Sequence, residues 1–236
     1  LTTRPPLQDD WGAARAAWRA EGLQEPPIFQ LQYPIVTGQR APRSAPTSTY
    51  SIPQEDWIRT QYGLIAGELL SGKDLPPTLA VPIWFTLLSS MFLHGGLLHL
   101  LGNMLYLWIF GDNVEDAMGP LRFAVFYLLC GLAAAFAQIL VNTGSTVPMV
   151  GASGAIAGVL AAYFMLYPRA RILTLVPLFF FLRLVAVPAA FLLGFWFIWQ
   201  VLSSTGSAAT TGGVAFFAHI GGFVAGLFLV VPFRQR

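Results

Sequence analysis

From Val81 to Arg236, apolar stretches of membrane-spanning length follow one another, separated only by short polar or Gly/Pro breaks. A helix needs about 20 apolar residues to cross a hydrocarbon core of about 30 Å. Five stretches meet that need, at 93–111, 121–141, 148–167, 183–202 and 214–233. None alternates polar and apolar residues as the ten-residue strands of a membrane barrel do. The expected fold is therefore all-α, a polytopic transmembrane helix bundle. Residues 81–92, opening Val81-Pro82-Ile83-Trp84, read as an interfacial approach to the first span, where tryptophan is at home. Composition agrees, with 10% charged residues against 56% hydrophobic, where a soluble domain carries about 25% charged.

Residues 1–80 read as a separate polar region before a membrane domain at 81–236. They hold seven Lys or Arg and eight Asp or Glu, and the remaining 156 residues hold nine charged side chains in all. Trp11 to Gln24 has the spacing of a short amphipathic helix, and 25–53 is linker-like in its Pro, Thr, Ser and Gln content. A marginal surface helix is expected over 56–70, broken by Gly63 and Gly67. No stretch before Val81 is apolar enough to span, and no basic segment followed by an apolar core marks a signal peptide. The single cysteine, Cys130, rules out an internal disulfide framework and a cysteine metal cluster, and a net charge of +2 gives no sign of nucleic-acid binding.

Orientation follows from the arginines. If the helices alternate, Arg122, Arg169, Arg171, Arg234 and Arg236 share one side, whereas 142–147 and 203–213 contain no basic residue. The positive-inside rule makes the first side, and the C-terminus, cytoplasmic. Arg183 fits as a residue snorkelling from the cytoplasmic start of the fourth span.

Several polar groups sit where polar groups are costly. His94, His99 and His219, with Asn103 and Ser153, lie in or at the ends of apolar stretches. A lone intramembrane serine ordinarily bonds back to its own helix, but ionisable residues in spans point to function. Ser153 and His219 each fall about five residues into helices that start on the arginine-poor side, some 8 Å down at 1.5 Å per residue. His99 and Asn103, four apart, share a face of a third helix starting on that side. The small-residue run Gly151 to Gly158 and the G-x-x-x-G of Gly222 and Gly226 let helices approach closely. A serine meeting a histidine is the minimum for nucleophilic catalysis. The acids nearest a span, Asp112, Glu115 and Asp116, belong to the far end, so a dyad rather than a triad is expected. The Asn103 amide, the His99 ring N–H and the Ser153 backbone N–H are the candidate oxyanion donors.

Four segments resemble the motifs of the rhomboid intramembrane serine proteases, over roughly residues 58–233. They are His94-Gly-Gly-Leu-Leu-His99-Leu-Leu-Gly-Asn103, Gly111-Asp-Asn-Val-Glu115-Asp-Ala-Met-Gly119, Gly151-Ala-Ser153-Gly154, and Ala218-His219-Ile-Gly-Gly222-Phe-Val-Ala-Gly226. The resemblance implies Ser153 as nucleophile, His219 as general base, and cleavage of transmembrane protein substrates near the outer face of the bilayer. It implies no metal, no cofactor and no nucleic-acid partner. Gly151, Gly154, Gly158, Gly222 and Gly226 become helix-packing residues. His94 has either a structural hydrogen bond at the helix entrance or a direct role, and Glu115 is expected to bond backbone N–H groups at the cytoplasmic turn. The implied setting is a multi-pass protein of the bacterial inner membrane with its C-terminus in the cytoplasm.

The sequence departs from that pattern in three places. The family has at least six core spans, and the first, expected before residue 60, is missing from a polar, proline-rich stretch; with Leu1 rather than Met at its head, a truncated or misassigned start is one reading and divergence from the family the other. The Trp-Arg pair that many members carry in the first external loop is replaced by Phe85-Thr86. The aromatic residue that in some members stacks on the catalytic histidine, one helical turn after the serine, is Ala157. Two other classes remain open: a non-catalytic rhomboid-like factor that binds membrane proteins, and a metal or haem protein. Against the latter, His94 and His99 are five apart and share no helix face, and no acidic partner accompanies them.

Overall fold

Glycine and proline set the helix boundaries in this chain. A computed structural model describes residues 12–22, 54–74, 79–178, 181–207 and 215–235. The chain divides into two compact units, residues 1–93 with 142–150, and residues 94–141 with 151–236.

In the first unit, helix α1 (Gly12–Ala20) buries Trp18. The helix expected over 56–70 is two helices, α2 (Gln54–Tyr62) and α3 (Ala66–Ser71). They part at Gly63, where a Cβ would lie 2.9 Å from the Pro148 Cβ and 3.2 Å from the Val150 Cγ1. Only a residue without a side chain lets the two segments close on each other there. Leu64 and Met149 form an antiparallel bridge at 3.1 and 2.8 Å, and the Gly67 N–H donates to the Ser145 carbonyl at 3.0 Å. Residues 83–92 are a succession of short helical turns rather than one helix. The linker expected over 25–53 lies outside the described residues.

The second unit holds the apolar helices. Helix α4 runs Leu97–Met118, with a π-helical stretch at Leu107–Gly111. Gly119, at φ 79°, ends it. Pro120 then opens α5 (Pro120–Val141), where a missing N–H costs nothing. The chain's tail closes this turn: the Gln235 N–H donates to the Ala117 carbonyl at 2.8 Å and its Nε2 to the Met118 carbonyl at 3.0 Å. Helices α6 (Ser153–Leu166), α7 (Ala189–Ser207) and α8 (Phe216–Phe233) complete the bundle. Helix α6 is buried continuously from Gly154 to Tyr163 and forms the centre, packed against α5 and α8. Phe126, Cys130, Leu160, Phe223 and Val230 fill the surrounding core. The outer faces are apolar as well, with Leu98, Trp108, Leu121, Leu140, Phe191 and Phe228 all exposed. A helix bundle hydrophobic both inside and out is built for lipid, since water would leave so large an apolar surface unpaid.

The bundle is mostly helical, as expected, with two differences. A two-stranded antiparallel hairpin, β1 (Arg171–Leu178) and β2 (Phe181–Pro188), precedes α7, with Arg171 opposite Pro188 and Leu178 opposite Phe181. The expected span at 183–202 is thus corrected to a helix that begins at Ala189, and Arg183 stands on β2 rather than at a helix start. The physical reason lies in the residues: Pro177 and Pro188 each lack the N–H that a helix interior needs, and Ile172, Thr174, Val176, Val185 and Val187 suit a pleated strand. The third span likewise begins at Ser153 rather than at 148, because Gly151 at φ 130° precludes a helix through it.

Among the described residues, Pro120–Val141 and Phe216–Phe233 are long and apolar enough to cross a membrane, and Ile83–Phe92 with Leu97–Met118 makes a third if counted as one broken span. Ser153–Leu166 and Ala189–Ser204 are apolar but shorter.

Candidate active site

Ser153 is the first residue of α6. The first backbone bond of that helix joins the Ile156 N–H to the Ala152 carbonyl at 3.0 Å. The N–H groups of Ser153, Gly154 and Ala155 therefore precede the helical ladder, where a helix start offers its donors to an incoming negative charge. His219 lies one turn into α8, buried, and its Nε2 is 2.7 Å from the Ser153 Oγ. That distance is a hydrogen bond of good length between a hydroxyl and an imidazole nitrogen.

The approach of α6 to α8 depends on Gly222 and Gly226, and the approach of α6 to α5 on Gly154 and Gly158. A Cβ on Gly222 would overlap the Gly154 carbonyl, and one on Gly226 would overlap the Gly158 backbone. On the α6 side, a Cβ on Gly158 would come within 2.5 Å of the Cys130 Cβ and Sγ on α5, and one on Gly154 would collide with the Ala134 Cβ. The backbones thus touch directly, and the side chains one turn beyond them, Ser153 and His219, meet as a consequence. Gln138 on α5 steadies the same turn, its Oε1 accepting from the Ala218 N–H at 3.3 Å.

His99 approaches from α4. The Gly95 N–H donates to its Nδ1 at 3.1 Å. The hydrogen of a neutral His99 ring must then be on Nε2, making that nitrogen a donor. A Cβ built on Gly151 would lie 3.2 Å from the His99 Nε2 and 3.7 Å from the Ser153 Oγ. The volume that a side chain would fill is thus left open between the imidazole donor and the serine oxygen. Asn103, one turn after His99, is buried, and its Nδ2 has no hydrogen-bond partner among the described residues. A buried amide donor left unpaired costs about 1–3 kcal/mol, an expense that a ligand oxygen removes. The His94 ring packs edge-on against His99 with centroids 5.3 Å apart. Glu115 sits at the far end of α4, where its backbone carbonyl accepts from the Gly119 N–H at 2.6 Å; its carboxylate makes no hydrogen bond among the described residues.

Two residues at this site went unnoticed in the sequence, and both come from α7. The Gln200 Oε1 lies 2.8 Å from the His219 Nδ1, and both groups are buried. The Trp196 ring lies over His219, with centroids 5.9 Å apart and planes tilted by 37°. Trp196 covers the imidazole, and Ala157 is packed in the core. The signal for Gln200 was present: it is the one carboxamide in α7 and the first polar side chain after eleven residues without one.

Among the described residues, no group of three or more His, Cys, Asp or Glu side chains is gathered as a metal would require.

A chain with this half-buried serine and buried histidine, on helices locked by glycine in a lipid-facing bundle, falls in the class of multi-pass integral membrane proteins with a polar intramembrane site. Residues 82–236 match the rhomboid domain family, and the chain belongs to that family. It is 42% identical over 79 residues to the rhomboid protease GluP of Bacillus subtilis, covering 34% of this chain and 15% of that protein. It is 37% identical over 98 residues to the human mitochondrial presenilin-associated rhomboid-like protein, covering 40% of this chain and 26% of the relative. It is 32% identical over 149 residues to the mitochondrial rhomboid protein 1 of Saccharomyces cerevisiae, covering 60% of this chain and 40% of that protein. Each alignment therefore spans less than half of the relative's length.

Proposed function

We propose that this rhomboid-family protein is an intramembrane serine endopeptidase that cuts transmembrane segments near the outer face of the bilayer, with Ser153 as nucleophile and His219 as general base. The observation that carries this reading is the 2.7 Å contact between the Ser153 Oγ and the His219 Nε2.

The chemistry runs on neutral groups. His219 Nε2 takes the hydroxyl proton as the Ser153 Oγ attacks the scissile carbonyl, and the proton then passes to the leaving amine. The carbonyl oxygen becomes an oxyanion, which the Ser153 N–H, the His99 Nε2–H and the Asn103 amide are suited to receive. Water attacks the acyl-enzyme by the same route, returning the proton to Ser153. Gly151 is needed here for openness, since any side chain would occupy the space between His99 and Ser153.

Membrane depth favours the same reading. Helix α6 has 14 residues and is about 21 Å long, so with its C-terminal end at one face its serine sits about 9 Å beneath the other. A spanning substrate helix has its carbonyls hydrogen-bonded within itself, so it must unwind locally to be cut. Substrates with Gly, Ala, Ser or Pro near the cut are therefore favoured. The arginine distribution favours a C-terminus on the cytoplasmic side of the membrane domain over 81–236, with residues 1–80 as a separate polar region.

A fluorophosphonate that acylates nucleophilic serines tests the proposal. Wild-type protein in detergent micelles is labelled, whereas Ser153→Ala and His219→Ala abolish labelling; Ser153→Ala leaves thermal unfolding close to wild type, and His219→Ala, which removes a buried ring and leaves the Gln200 amide unpaired, costs about 1–3 kcal/mol. An unlabelled wild type, or labelling that survives Ser153→Ala, refutes it; the first result would favour the non-catalytic binding factor.

A further inference from the structure

We propose that Gln200 is a positioning residue for the base, an uncharged third member that sets the tautomer of His219; this rests on the protease reading above. The argument begins with hydrogen-bond direction. A carboxamide oxygen only accepts, so the 2.8 Å contact between the Gln200 Oε1 and the His219 Nδ1 requires the ring hydrogen on Nδ1. Nε2 then carries the lone pair, and it is Nε2 that faces the Ser153 hydroxyl at 2.7 Å. The opposite tautomer would present an N–H to that hydroxyl, and no proton could be taken from it.

The same bond acts later in the cycle. Once Nε2 holds the serine proton, the imidazolium keeps its Nδ1–H on the Gln200 oxygen, whose dipole faces the new positive charge. No proton moves to Gln200, because an amide oxygen is too weak a base; the balance stays between serine, histidine and the leaving amine. A carboxylate would stabilise the cation more strongly, but an ionised acid buried among apolar helices carries a large desolvation cost in the resting enzyme. Glutamine supplies direction without charge.

Trp196 and Gln200 are four residues apart, so they share one face of α7. One covers the His219 ring and the other holds its edge. The ring is thereby fixed both in plane and about its own axis by a single helix, one other than the helix that bears it. Helix α7 carries no nucleophile and no oxyanion donor, and its contribution to the site is the orientation of the base.

The test follows maximal fluorophosphonate labelling rate and half-saturating probe concentration in Gln200→Leu and Gln200→Glu, with a ¹⁵N spectrum of histidine-labelled protein in which His219 is assigned by its loss in His219→Ala. Wild type is expected to show a protonated Nδ1 and a bare Nε2. Gln200→Leu should lower the maximal rate on the order of 10- to 100-fold, within what a general base contributes, and leave half-saturation within about twofold. Gln200→Glu restores an acceptor at the same reach and should recover most of the rate. A wild-type His219 protonated on Nε2 overturns the inference without any variant. So does a Gln200→Leu rate equal to wild type, or a loss that Gln200→Glu shares in full. An unlabelled wild type instead overturns the protease reading, and the tautomer spectrum still decides whether the amide holds the ring.

Discussion

Gly158→Ala tests whether backbone contact between helices is what brings the serine to the histidine. The added methyl would stand 2.5 Å from both the Cβ and the Sγ of Cys130 and 3.1 Å from the Gly222 carbonyl oxygen, where ordinary contact begins at 3.4 Å. The Cys130 Cβ is set by the α5 backbone and cannot rotate away, so α6 must shift by about 1 Å from α5, carrying Ser153 with it relative to His219. Overpacking of this kind costs about 1–3 kcal/mol. The hydrogen bond between Ser153 and His219, at 2.7 Å, has about 0.5 Å of slack before it weakens. Serine labelling should therefore fall at least about tenfold, the equivalent of 1.4 kcal/mol in the barrier. Cys130→Gly in the same chain removes both close atoms and leaves only the 3.1 Å approach, which a shift of a few tenths of an ångström relieves. Unfolding of the four proteins of this double-mutant cycle in detergent should give a coupling of about 1–2 kcal/mol, with partial recovery of labelling. Additive costs, agreeing within about 0.5 kcal/mol, would show that the Gly158 face is not pressed on Cys130 and would refute the reasoning.

Asn103→Ala should lower the labelling rate by about 10² to 10³, the usual loss for one oxyanion donor, with melting unchanged or raised because a buried unpaired amide is gone. Full activity in that variant would remove Asn103 from the oxyanion site. A designed transmembrane substrate with Gly and Ala near the cut should be cleaved faster than a version stiffened with leucine, and equal rates would eliminate the unwinding step.

The pairing of α6 with α8 was legible because its cause is written locally: small residues spaced by four mark a close helix contact, and a polar residue stands within a turn of each such face. The hairpin was not. Residues 171–188 are as apolar as a span, and hydropathy alone cannot distinguish a strand pair from a helix; Pro177 and Pro188 were the discriminating residues. The start of α6 was misplaced for a related reason, since the positive φ of Gly151 is invisible until the chain around it is folded. Gln200 and Trp196 are not marked by residue type, because the usual partner of a catalytic imidazole is a carboxylate. In an apolar helix an amide is the more economical choice, and its partner, His219, is 19 residues away.

The distribution of charge and the design of the site have the same physical origin. After Asp116 the chain contains no acid, and its arginines stand near the ends of helices or on the hairpin. A general base still needs its ring held, and in water-exposed serine enzymes a buried carboxylate holds it. Within a lipid-facing bundle that solution carries a desolvation cost of several kcal/mol for the ion, set against the roughly 0.5–1.5 kcal/mol that an ordinary neutral hydrogen bond contributes without it. Every polar side chain found around Ser153, namely His99, Asn103, His219 and Gln200, is uncharged when its imidazoles are neutral. On the proposed protease reading, a site assembled in this way keeps its resting state compatible with the bilayer and creates charge only during turnover, with donors and dipoles already in place to receive it.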